Sequence, residues 1–134
     1  MRLLIAEDDP TSAAALHGLL QNIGYDVDVA TNGIDAWQRW QISQPKIVIL
    51  DWMMPGIDGV EVCRRIRSVS TNEYTCVIML TAKRDREDRV AALKAGADVF
   101  LTKPLNKEEL IARLQVAERI IEMEAECSKS QIAA

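Results

Sequence analysis

With 134 residues, 49% of them apolar and 27% charged, and a formal net charge of −4, the chain has the make-up of one globular domain that can bury its own core. Six Gly, four Pro and no low-complexity tract exclude a fibrous or linker chain, and mild acidity without a basic stripe argues against direct nucleic-acid binding. No apolar run approaches the roughly 18 residues of a membrane span, and Leu3-Leu4-Ile5-Ala6 runs at once into Glu7-Asp8-Asp9, unlike a signal peptide. Three cysteines, Cys63, Cys76 and Cys127, are odd in number and lack a CxxC pair, which points to reduced thiols rather than a disulfide framework or a zinc site.

Leu3–Ala6 opens the chain as an uninterrupted aliphatic run of strand length. Asp9-Pro10 then reads as a helix cap followed by Pro at the first helical position; Leu16, Leu19, Leu20 and Ile23 share one face, and Gly24 closes the helix. Tyr25–Ala30 alternates apolar and polar residues, so it is expected at a sheet edge. Trp37 and Trp40, with Ala36, mark a second helix after Asn32-Gly33. Ile47–Leu50 and Val77–Leu80 are again purely aliphatic, as strands buried on both faces of a parallel sheet are. Between them Val62, Cys63 and Ile66 mark a third helix, with Arg64, Arg65 and Arg67 expected in solvent. Val90 and Leu93 mark the core face of a fourth helix, stopped near Gly96; Val99–Thr102 is a short second edge strand. Asn106 caps a fifth helix carrying Leu110, Ile111 and Leu114, with Glu108 and Glu109 favourably placed in its first turn. Strand–helix alternation of this kind gives an α/β fold: right-handed crossovers and a parallel sheet covered by helices on both faces.

Chemistry gathers where the strands end. The first strand delivers Glu7, Asp8 and Asp9, the third Asp51, the fourth Thr81 and the fifth Lys103-Pro104. Ligands of open α/β sheets bind outside the carboxyl ends of the strands, so these groups are expected on one rim. Singly, each has a plainer reading: Asp9 as the cap of the first helix, Thr81 as a cap, Lys103 as a solvated cation. Together, several carboxylates on one rim call for a hard divalent cation such as Mg²⁺, with Lys103 and Thr81 suited to a phosphoryl group. Walker and GxGxxG motifs are missing, and the single histidine, His17, falls within the first helix. The remaining nucleophile is a carboxylate, and Asp51 is the best candidate.

These residues resemble a known family. Glu7-Asp8 after the first strand, Asp51-Trp52-Met53-Met54-Pro55-Gly56-Ile57-Asp58-Gly59, Thr81-Ala82 and Lys103-Pro104 are similar, in order and spacing, to the receiver domain of two-component response regulators. The resemblance covers residues 2–118 and leaves 119–134 as a helical extension or linker with a tail. It implies a flavodoxin-like, doubly wound five-stranded parallel sheet of order 2-1-3-4-5 with five helices. It also implies that Asp51 accepts a phosphoryl group from a sensor histidine kinase or phosphotransfer protein. Glu7, Asp8, Asp51 and the Met53 carbonyl would hold Mg²⁺ or Mn²⁺, Glu7 mainly through water. Lys103, in a cis peptide with Pro104, would contact the phosphoryl oxygens. Thr81 and Phe100 would move together to switch the face of the fourth helix, fifth strand and fifth helix.

The implied protein is a cytoplasmic interaction switch that assists its own phosphorylation rather than a turnover enzyme. Its partners would be the kinase and a downstream output domain or a second copy of the chain, with no nucleic acid or membrane bound directly. A phosphohydrolase with an aspartyl-phosphate intermediate is the alternative; it needs an acid two residues after the nucleophile, where this chain has Met53. Met53 and Lys83 occupy positions that in this family influence how fast the acyl phosphate hydrolyses. In the carboxyl-terminal extension Val116, Ile120, Met123 and Cys127 recur at 4-3-4 spacing, the start of a heptad stripe, and Ser128–Gln131 reads as an unstructured end.

Overall fold

The computed structural model describes residues 1–69, 73–82 and 86–133, without the side chains of 86–88 and 128–133. Its strands are β1 (Arg2–Ala6), β2 (Asp26–Ala30), β3 (Ile47–Asp51), β4 (Cys76–Thr81) and β5 (Val99–Thr102). All pair in parallel, in the order β2-β1-β3-β4-β5. The helices are α1 (Pro10–Ile23), α2 (Gly33–Ser43), α3 (Gly59–Ser68), α4 (Arg86–Ala95) and α5 (Lys107–Ala133). Edge positions fall to β2 and β5, as alternation and shortness led one to expect; β3 and β4 are buried throughout.

Successive residues of each strand feed opposite faces. Leu4, Val48, Leu50, Val77 and Met79 pack with Trp40, Val62, Cys63 and Ile66 from α2 and α3. Leu3, Ile5, Ile47, Ile49, Ile78 and Leu80 pack with Leu16 and Leu20 of α1 and Leu110, Leu114, Ala117 and Ile121 of α5. Caps sit where the sequence puts them. Asp9 Oδ2 accepts from the Ser12 N–H at 3.2 Å, Asn32 Oδ1 from Asp35 at 2.7 Å and Asn106 Oδ1 from Glu109 at 3.0 Å, while Gly24 takes the left-handed φ of 116°.

Three expectations are corrected. Val90 and Leu93 of α4 are 41% and 54% exposed; the helix seats itself instead on Ala92 and Ala95. Periodicity read from the largest side chains misses a stripe built of alanines, which lets a helix approach closely. Arg67 does not point into solvent. Its guanidinium donates to Asp98 Oδ2 at 2.8 Å, to the carbonyls of Thr75 at 2.7 Å and Gly96 at 3.0 Å, and lies over the Tyr74 ring. Asp98 also accepts from the Tyr74 hydroxyl and the Val77 N–H, so this one pair ties α3 to the starts of β4 and β5. Residues 128–131 continue α5 as helix, because no Gly or Pro stands between Lys107 and Ala133 to stop it.

Replacing Arg67 with Met should leave Asp98 without its charged partner and lower stability by about 2–3 kcal/mol. Urea unfolding checks this as a fall in midpoint at unchanged slope.

Candidate functional site

Strand register assembles the site. Ala6 of β1 lies opposite Leu50 of β3, so Glu7, one step further, arrives beside Asp51. Asp51 in turn pairs with Leu80 of β4, and Thr81 with Thr102 of β5, which sets Lys103 just beyond the rim. Backbone hydrogen bonds from Trp52 to Leu80 and from Lys103 to Thr81 fix the loops that leave β3 and β5. The expected residues are thus brought together.

Glu7 and Asp51 are buried, at 3% and 5% exposure, whereas Asp8 is exposed. Each of the three offers an oxygen within 4.8 Å of the others. Lys103 Nζ lies 2.7 Å from Asp51 Oδ2 and 3.4 Å from Glu7 Oε2. The Lys103-Pro104 peptide is cis. Thr81 is buried at the end of β4. Met53 projects its side chain outward, 64% exposed, while its N–H stands 3.4 Å from Asp51 Oδ1. Phe100 is half-buried, beside Met79 on the neighbouring strand and against the cluster under α2 and α3. Asp9 is exposed and held below the usual carboxylate range by its hydrogen bonds with Ser12, in keeping with a cap. Lys83 lies outside the described residues.

Burial pushes the Glu7 carboxyl up to about 7, helped by its hydrogen bond to Asp51 and by that group's charge; Lys103 opposes the shift. For Lys103, burial acts against the charge but is outweighed by Asp51 and Glu7, so its ammonium is held above its ordinary range. Glu7 and Asp51 share one ammonium, and Glu7 holds a proton more tightly than an ordinary carboxyl does. This all-oxygen donor set, part of it reaching solvent through Asp8, fits a hard divalent cation, which would displace that proton.

A contribution that reading by residue type missed is Gly59. A Cβ there would stand 2.4 Å from the Asp51 carbonyl oxygen, so the start of α3 can close over the end of β3 only with glycine. Its N–H donates to Trp52 at 3.0 Å, and Asp58 caps the helix by accepting from Glu61. The Asp58-Gly59 pair ahead of an amphipathic helix was the available signal.

A doubly wound parallel domain with an acidic cluster and one lysine at its strand ends defines a class: an open α/β sheet whose carboxyl-end rim could hold a divalent cation. Within that class, residues 3–115 match the sequence model of the response regulator receiver domain, and the chain belongs to that family of two-component systems. It is 38% identical over 114 residues to the phosphate regulon transcriptional regulatory protein PhoB of Rhizobium meliloti, covering 85% of this chain and 50% of that protein. Response regulator MprA of Mycobacterium avium is 41% identical over 115 residues, covering 86% and 50%. The chain therefore spans about half the length of the curated relatives it matches. Among solved structures, a response regulator of Chloroflexus aurantiacus superposes with TM-score 0.80 at 36% identity, covering 87% of this chain and 95% of that one. Chemotaxis protein CheY4 of Vibrio cholerae gives 0.81 at 29%, covering 87% and 97%. Among the described residues, no helix is long and apolar enough to cross a membrane.

Glu7 makes metal-free stability depend on pH with a defined sign. Its carboxyl binds a proton more tightly folded than unfolded, so that contribution is complete below its ordinary value of 4.5 and is lost as pH rises through about 7. Urea unfolding in a chelator should show declining stability across this window, and Glu7→Gln should flatten the decline.

Proposed function

We propose that this receiver domain accepts a phosphoryl group on Asp51 from the phosphohistidine of a sensor kinase or phosphotransfer protein in the cytoplasm. An Asp51 oxygen attacks phosphorus, an acyl phosphate forms, the P–N bond breaks, and the imidazole leaves with its electron pair to be reprotonated by water. Glu7 (as an outer partner), Asp8, Asp51 and the Met53 carbonyl would hold Mg²⁺ or Mn²⁺, which when bound neutralises charge on the phosphoryl oxygens. The single observation that carries the reading is the Lys103 ammonium, 2.7 Å from Asp51 Oδ2 and beside the acidic cluster. Once Asp51 is phosphorylated, the negative charge lies on the phosphoryl oxygens, and Lys103 is placed to follow it. Thr81, on the strand between Asp51 and Lys103, supplies a hydroxyl for the same oxygens.

Phosphorylation then acts as a switch rather than as a turnover step. Thr81 turns toward the phosphoryl group, Phe100 turns inward behind it, and the face of α4, β5 and α5 takes a second arrangement that an output domain or another partner reads. The exposed Val90 and Leu93 on α4 support a face built for contact.

A small acyl phosphate and Mg²⁺ should add one phosphoryl group to the intact chain, read by mass. Asp51→Asn should add none, and Lys103→Met should slow the reaction by about 10²-fold; an Asp51→Asn chain still phosphorylated at this site would sink the assignment. Trp52, buried next to Asp51, should report Mg²⁺ binding through its fluorescence, and Asp8→Asn should abolish the response. The Met53 side chain cannot hold an attacking water, so Met53→Asn should shorten the lifetime of the acyl phosphate, followed by loss of the added mass; an unchanged lifetime overturns that role.

A further inference from the structure

Helix α5 leaves the domain before it ends. Leu110, Leu114, Ala117 and Ile121, spaced 4-3-4, form the stripe that seats it on the sheet. Beyond Ile121, residues 122–127 are all exposed, so over more than one full turn no side of the helix is buried. A second 4-3-4 stripe runs one residue earlier, about 100° round the helix. Val116 and Ile120 are half-buried on the flank of the core, Met123 is 67% exposed, and Cys127 is exposed. The stripe thus begins on the domain and continues without a break into unsupported helix.

We propose that this stripe is a parallel, in-register two-stranded coiled-coil seam with a second copy of the chain. Ile120 and Cys127 take a positions and Val116 and Met123 take d positions; a β-branched residue at a favours two strands. The same register puts Arg119 at g and Glu124 at e of the next heptad, where g meets e of the other helix. Arg119 of each copy therefore faces Glu124 of the other, an opposite-charge pair made twice by the symmetry. Cys127, on the axis, faces Cys127 of the second copy. Parallel packing carries both domains at the same end of the seam, with the free turns of α5 running together away from them.

The test uses the full 134-residue chain. Sedimentation equilibrium in reductant, over roughly 10 µM to 1 mM, should show a monomer–dimer equilibrium, since a four-position seam is weak. Met123→Glu should leave a monomer whose thermal unfolding matches the parent chain at concentrations where the parent is monomeric, because Met123 is 67% exposed. Arg119→Glu should weaken the dimer by roughly 2–5-fold, and Arg119→Glu with Glu124→Arg should restore it. Mild oxidation with copper phenanthroline should link the dimer through Cys127; Cys63 and Cys76 are buried, and Cys127→Ala should remove the link. A monomer throughout the range, a dimer indifferent to Met123→Glu, or a dimer that oxidant does not link through Cys127 would each overturn the proposal.

Discussion

Lys103 crosses 52 positions of sequence to set its ammonium 2.7 Å from the Asp51 carboxylate, and the site is organised round that contact. Burying Asp51 and Glu7 together is costly unless positive charge or a proton balances them. The chain applies both, through Lys103 and through the raised affinity of Glu7 for a proton. In the proposed function, a cation would take the place of the proton, and a phosphoryl group would relocate the charge that Lys103 follows. Strand order makes the contact feasible. β4 separates β3 from β5, so Lys103 spans about 10 Å of sheet, a distance suited to a long flexible side chain rather than a short one.

A second polar cluster stands at the other end of the same strands. Arg67, Tyr74 and Asp98 join the end of α3 to the starts of β4 and β5, and the Cys63 thiol reaches the Ala95 carbonyl at the close of α4. Gly96 belongs to this brace, since a Cβ there would lie 2.6 Å from the Arg67 chain and its φ of 107° suits glycine. Asp98 is committed within the domain to Arg67, Tyr74 and the Val77 N–H. β4 and β5 are thereby anchored at their amino ends while their carboxyl ends carry Thr81 and Lys103. α4 rests on Ala92 and Ala95 in the core cluster it shares with α3 and turns Val90 and Leu93 outward.

Composition and periodicity were enough to read one α/β domain, its strand positions within a residue, the two edge strands and the caps at Asp9 and Asn106. Those features are local: alternation tells one buried face from two, and a cap needs only its own helix start. That Glu7, Asp8, Asp51, Thr81 and Lys103 would meet on one rim was legible for the same reason. Each stands at or just past the end of an aliphatic strand, and parallel strands bring their carboxyl ends to one rim. Arg67, the face of α4 and Gly59 were not legible, because their partners lie far along the chain. Asp98 is 31 residues from Arg67, and the contact that requires glycine at 59 is the carbonyl of Asp51.

By itself, then, the sequence determined which residues form strands, where the first, second and fifth helices begin and which charged groups share one end of the sheet. Local backbone preference and hydrophobic spacing suffice for that. Only tertiary structure decided how those groups share charge, which arginine becomes a brace, which side of α4 meets solvent and where α5 parts from the core. Distances of a few ångströms between remote segments set these outcomes, and burial at those distances multiplies the strength of every charge involved.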